Sequence, residues 1–150
     1  MKEKKDQAVE CFAKGYACSQ AVFSTYAPMV GLDYESALRV SGGFGGGMGG
    51  LQNTCGAVTA GFMVIGCKYG KVKEGDKEAK EKTYALVRIF ADKFKTINGS
   101  INCRELLGCD LNTEEGMRFA RENNLFSTKC EKYVRDAAEI TEDMIFREEG

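Results

Sequence analysis

The chain of 150 residues contains no histidine and no tryptophan, and only one proline, Pro28. The missing imidazole excludes Ser-His and Cys-His nucleophilic pairs, histidine-containing zinc sites and the C-x-x-C-H haem attachment. No C-x-x-C occurs either, so a thioredoxin-type local dithiol and a ferredoxin or zinc-ribbon ligand run are also excluded. The longest apolar run, Ala57 to Cys67, is broken by Thr59, Gly61 and Gly66 and is too short to span a bilayer. The amino-terminal segment MKEKKDQAVECF lacks the apolar core of a signal peptide. Charge of one sign is lacking as well: the formal net charge is −1, which favours neither nucleic acid nor an anionic membrane surface. These absences describe a soluble, cytoplasmic protein that neither inserts into membranes nor binds nucleic acid.

What is present is sulfur and glycine. Seven cysteines at irregular spacing do not form a secreted disulfide framework, and in a reducing compartment such usage points to metal or redox work. The apolar residues recur at helical spacing and almost no strand signal appears. The length suits one domain with a core of its own. The expected architecture is all-α, a compact single-domain bundle of five to seven helices with a glycine-rich loop before a central helix.

Asp33 reads as an N-cap, a long amphipathic helix is expected over about Asp76 to Ile97, and Thr113 begins another through about Arg121. Thr54 is the expected N-cap of the central helix, Cys55 to Tyr69. NCRE at 102–105 has the form of a capping box, and TKCE at 128–131 has a fuller one that opens the final helix. Cys18, Cys55, Cys103 and Cys130 are thereby each expected in a first helical turn. Unpaired N–H groups and the positive end of the macrodipole favour thiolate there. Thiolates attack disulfides and bind metals. The alternative is that these cysteines only fill space, as free cysteines often do. Cys11 and Cys67 read as structural, and Cys109, six residues after Cys103, could join a site or stay idle.

In the segment GGFGGGMGG at 42–50, seven of nine residues are glycine. Gly45-x-Gly47-x-x-Gly50 matches a dinucleotide fingerprint in form, but no strand precedes it and no βαβ unit follows. The absence of Gly-Lys-Ser/Thr excludes a P-loop. The segment reads instead as backbone able to pack closely against the Cys55 region. Gly45, Gly46, Gly47, Gly49, Gly50 and Gly56 are the candidates to line a site whose N–H groups suit a thiolate, a sulfide or a small anion.

CGAVTA after FGGGMGG, with YACSQAV upstream, CRELLG downstream and KCEKYVRDAAEI near the carboxyl end, resembles the C_GCAxxG_C_C family of redox-active proteins. The resemblance runs from about Gly15 to Ile140. Carried over, it makes Cys18, Cys55, Cys103 and Cys130 the family's shared cysteines. The central motif departs at Ala60, where the family has glycine, and Gly61 follows one place later. The resemblance implies redox activity, with an iron–sulfur cluster or another thiolate-bound metal as the supposed centre. A similar domain occurs in split-Soret cytochromes, but no haem is expected here without histidine or an attachment motif.

The leading expectation is therefore a redox-active, oxidoreductase-type protein built on Cys18, Cys55, Cys103 and Cys130. They would serve as metal or cluster ligands, with Cys109 a further candidate, or as a dithiol/disulfide pair served by a redox partner protein. The competing expectations are a non-catalytic small-molecule binding module whose pocket the glycine loop lines, and a helical oligomerisation protein.

Overall fold

A computed structural model describes residues 3–147. Among them lie eight α-helices: α1 (Lys4–Ala13), α2 (Cys18–Tyr26), α3 (Tyr34–Ser41), α4 (Gly56–Tyr69), α5 (Lys77–Asn98), α6 (Cys103–Leu107), α7 (Glu114–Glu122) and α8 (Glu131–Thr141). Short 3₁₀ turns follow α2 and α3, and π turns cover Phe126–Cys130 and Glu142–Phe146. The architecture is all-α, as expected, with eight α-helices among the described residues against an expected five to seven.

Most boundaries follow from local chemistry. The carboxylates of Asp33 and Asp76 accept from the N–H groups of Ser36 and Ala79, and the Thr113 hydroxyl accepts from the Gly116 N–H. The N–H of Ala17, ahead of α2, is satisfied by the Gln20 side chain at 3.1 Å, because alanine offers no acceptor of its own. Gly99 and Gly108 close α5 and α6 in the left-handed conformation.

Two expected helix starts are corrected. The residue ahead of α4 is Cys55, not Thr54. Thr54 is held in an antiparallel bridge to Asn102, and around it Cys55 N–H donates to Ile101 (2.8 Å) and Cys103 N–H to Asn53 (2.6 Å). This pairing keeps the backbone extended through residue 54, so the helix begins one residue later. The second correction concerns TKCE. Thr128 does not cap the final helix: its hydroxyl bonds back to the Asn124 carbonyl at 2.8 Å, and the π turn Phe126–Cys130 runs straight into α8. Cys130 thus lies inside a continuous helical run, away from its start.

α2 and α4 form the centre. α4 is apolar nearly all round and is covered by α2, α5 and α8, as a helix with no polar face must be. α1 packs on α2 and α8. Gly61 of α4 meets the Phe90 ring of α5 so closely that a β-carbon there would collide with it. Phe62 adds an edge-to-face contact with the same ring, centroids 5.8 Å apart. The fully buried Tyr26 donates its hydroxyl to Glu142 at 2.6 Å and ties α2 to the chain after α8. Cys67, expected inside, is exposed on the last turn of α4.

Gly61→Val is expected to destabilise the fold by about 1–3 kcal/mol through overpacking against Phe90. In a Phe90→Ala background the same change should cost much less, because the colliding ring is gone. Urea unfolding of the single and double variants, followed by circular dichroism, checks both expectations.

Candidate functional site

The starts of α2, α4 and α6 converge, and with them Cys18, Cys55 and Cys103. Cys18 is the first residue of α2. Cys55 precedes α4 and Cys103 opens α6; the Thr54–Asn102 bridge brings those two segments side by side. Asn102 caps α6 by accepting from Glu105 N–H at 3.0 Å. The expected reciprocal half of that box is absent: Glu105 takes the Ser100 hydroxyl, whose oxygen accepts from Asn102 N–H. Cys130 arrives from the other side on the π turn. π turns are frequent at functional sites, and here the turn carries Cys130 and Phe126 to the same place.

All four cysteines line one cavity of about 160 Å³. The rest of its wall is Phe12, Leu106, Leu107, Leu111, Phe126 and the ring of Tyr133, with Ala17, Gly46 and Gly56 where the backbone comes close. Cys55 and Cys103 are buried, at 6% and 8% exposure, while Cys18 and Cys130 keep part of their surface accessible.

The glycine segment packs against this site unevenly. Gly46 and Gly56 face the cavity. A β-carbon on Gly56 would stand 2.6 Å from the Cys18 sulfur and 2.8 Å from the Phe44 carbonyl oxygen, so only glycine lets α4 start there. Gly47, with φ near +70°, backs onto the Cys103 β-carbon at 2.8 Å, measured from where its own β-carbon would stand. Gly45 packs against Ala17 in the same manner at 2.7 Å. Gly49 and Gly50 lie away from the cavity wall, and the Gly50 carbonyl accepts from Asn112 instead.

The four thiols differ in acidity. Cys18 is lowered to about 7. The largest cause is the hydrogen bond that the Cys55 thiol donates to it; burial opposes, and the N–H groups of Gly46, Ser19 and Ala57 add to the lowering. Cys55 is held well above the ordinary thiol value, because that same bond keeps its proton in place and burial adds to the effect. Cys103 rises to about 11 and Cys130 to about 12, each chiefly by burial and then by the nearby negative sulfur of Cys18. First-turn placement therefore yields one acidic thiol. For Cys103 desolvation outweighs the helix start, and Cys130 has no helix start to benefit from.

Sequence patterns did not single out Gln52 or Tyr133. Gln52 is buried with φ near +59°; its side chain donates to the Cys109 carbonyl (3.0 Å) and accepts from Leu111 N–H (2.7 Å). It locks the loop to the cavity rim and lies beside the Cys103 sulfur. Cys109 is buried through this contact and does not line the cavity. The Tyr133 hydroxyl donates to the Leu106 carbonyl at 3.0 Å. A lone glutamine after a glycine run carries no periodic signal; Tyr133 reads correctly as core, and only the fold turns its ring toward the sulfurs.

An all-sulfur donor set has the softness that zinc or an iron–sulfur cluster requires. Its geometry does not fit as it stands: among the described residues no three cysteine or carboxylate side chains converge into a group that could hold a metal ion.

A family model described as "Putative redox-active protein (C_GCAxxG_C_C)" matches residues 16–144. The chain belongs to the C_GCAxxG_C_C family. Searches of curated proteins and of solved structures return no significant match. The matched region of this family member contains all four cavity cysteines and the glycine segment. None of the helices formed by the described residues is long and apolar enough to cross a membrane.

Alkylation of Cys18 is expected to accelerate with rising pH about a midpoint near 7, read by site-resolved mass spectrometry with iodoacetamide. Cys55, Cys103 and Cys130 should react far more slowly at neutral pH, since each keeps its proton. Gly56→Ala should push the sulfurs apart and return the midpoint toward the ordinary thiol value of about 8.5.

Proposed function

We propose that the protein is a dithiol redox carrier in which Cys18 is the attacking thiolate and Cys55 the resolving thiol. The geometry that carries this reading is the hydrogen bond between the two thiols on the cavity wall, which makes Cys18 the acceptor and the more acidic partner. A thiolate attacks a disulfide, and an adjacent protonated thiol then closes the second step. In the reduced protein the Cys18 thiolate attacks one sulfur of a partner disulfide; that S–S bond breaks and one partner thiolate leaves. Cys55 gives up its proton and attacks the Cys18 sulfur of the mixed disulfide, which expels the second partner sulfur. The partner gains two electrons, the Cys18–Cys55 bond holds the oxidised equivalent, and the proton released from Cys55 protonates one of the two products. Cys103 and Cys130 remain neutral and screen the pair from water. A reducing compartment such as the cytoplasm would return the pair to the dithiol state in which the cycle begins.

The metal-ligand version of the reading uses Cys18, Cys55, Cys103 and Cys130 together. Their sharing of one cavity favours it; the lack of three converging donors counts against it. The dithiol version leads for that reason.

Mild oxidation with diamide is expected to remove one pair of thiols, mapped by peptide mass spectrometry to a Cys18–Cys55 disulfide. Cys18→Ser and Cys55→Ser should each abolish that disulfide. A bond that maps to another pair, or no thiol loss, refutes the dithiol version. Anaerobic purification followed by iron and zinc analysis tests the other version: stoichiometric metal that disappears in Cys55→Ser would move the reading to a thiolate-bound metal centre.

A further inference from the structure

We propose that the disulfide reduced at this site is a small, uncharged, apolar molecule that enters the cavity itself, and is neither a peptide nor a charged metabolite. The proposal rests on the dithiol reading above and names its substrate class. Two features of the cavity carry it.

The first is size. About 160 Å³ is close to the roughly 150 Å³ of an apolar cavity that takes up benzene, so a short dialkyl disulfide is the scale of guest that fits. The second is polarity. Away from the sulfurs, the side chains that face the space are hydrocarbon: Phe12, Leu106, Leu107, Leu111 and Phe126. Tyr133 contributes its ring, because its hydroxyl is already committed to the Leu106 carbonyl at 3.0 Å. Apart from the Cys18 thiolate, whose charge the attack itself consumes, no charged side chain of the described residues lines the wall. A carboxylate on the guest, or the second of two ammonium groups, would be desolvated there without a partner, at a cost of several kcal/mol.

The chemistry follows from the dithiol reading: a disulfide releases a thiolate, a weak base that leaves without a cation to receive it. The balanced step is R–S–S–R with the Cys18 thiolate and the Cys55 thiol, giving the Cys18–Cys55 disulfide, one R–S⁻ and one R–SH. Cys18 and Cys130 are the two cavity cysteines that are only partly buried.

Dipropyl disulfide and cystamine match in shape atom for atom and differ in that cystamine ends in two ammonium groups. The test is the rate at which each forms the Cys18–Cys55 disulfide in the full-length reduced protein, divided by its rate with free 2-mercaptoethanol. The normalised rate with dipropyl disulfide is expected to exceed that with cystamine at least about tenfold. A ratio near or below unity, with the Cys18–Cys55 bond still forming, overturns the substrate class and leaves the dithiol reading intact. Failure of both probes to link Cys18 to Cys55 overturns the dithiol reading and this proposal with it. Leu111→Phe narrows the cavity and should slow dipropyl disulfide about tenfold or more, whereas Leu111→Ala should admit the longer dibutyl homologue. Unchanged selectivity in a folded variant of either kind would show that the reaction takes place outside the cavity.

Discussion

The close approach of two helix starts, α2 at Cys18 and α4 at Gly56, governs the rest of the site. Because Gly56 has no β-carbon, the Cys18 sulfur can lie against the first turn of α4. There it meets the N–H of Ala57, while the N–H of Ser19 comes from its own helix and that of Gly46 from the glycine loop. Three backbone donors from three chain segments and the Cys55 thiol thus face one sulfur. A buried thiolate without them would be strongly disfavoured. Gly47 belongs to the same constraint, since a β-carbon there would collide with Cys103 and with the backbone of Gln52 and Asn53, while the left-handed Gly46 lets the loop fold tightly against Gly50.

Chemical asymmetry follows from that packing. Cys18 and Cys55 are the same residue type in contact, yet one is made acidic and the other basic by who donates to whom. Separating the acidities of neighbouring groups is how proteins assign distinct roles to identical side chains. Cys103 and Cys130 feel the negative charge of Cys18 and are pushed further toward the neutral thiol. A single charge in an apolar cavity suppresses its neighbours, so the four cysteines do not behave as four equivalent ligands.

Much of the fold was legible beforehand because caps and periodicity are local. Asp33, Asn102 and Thr113 each accept from the N–H three residues ahead, and a short window contains both partners. Thr54 and Thr128 carried the same local signal and failed for different reasons, one distant in the chain and one close by. Thr54 is captured by a strand-like bridge to Asn102, distant in the chain. Thr128 is drawn into a helix that begins at Leu125, just after the left-handed Asn124. Cys130 loses its expected helix-start position with it. Gln52 and the Tyr133 ring were invisible as site residues because their roles depend on what lies opposite them.

By itself the sequence determined the residue types available for chemistry, namely thiols without imidazole, and the all-α character, since both are written in composition and short-range spacing. It also determined that Cys18 and Cys103 open helices. Only the tertiary structure decided that sulfurs from four separate segments share one cavity, that Cys18 alone is acidic, and that the space beside it is apolar. The physical reason is that acidity and cavity shape depend on desolvation and on donors supplied by distant backbone, and neither quantity exists until the helices have packed.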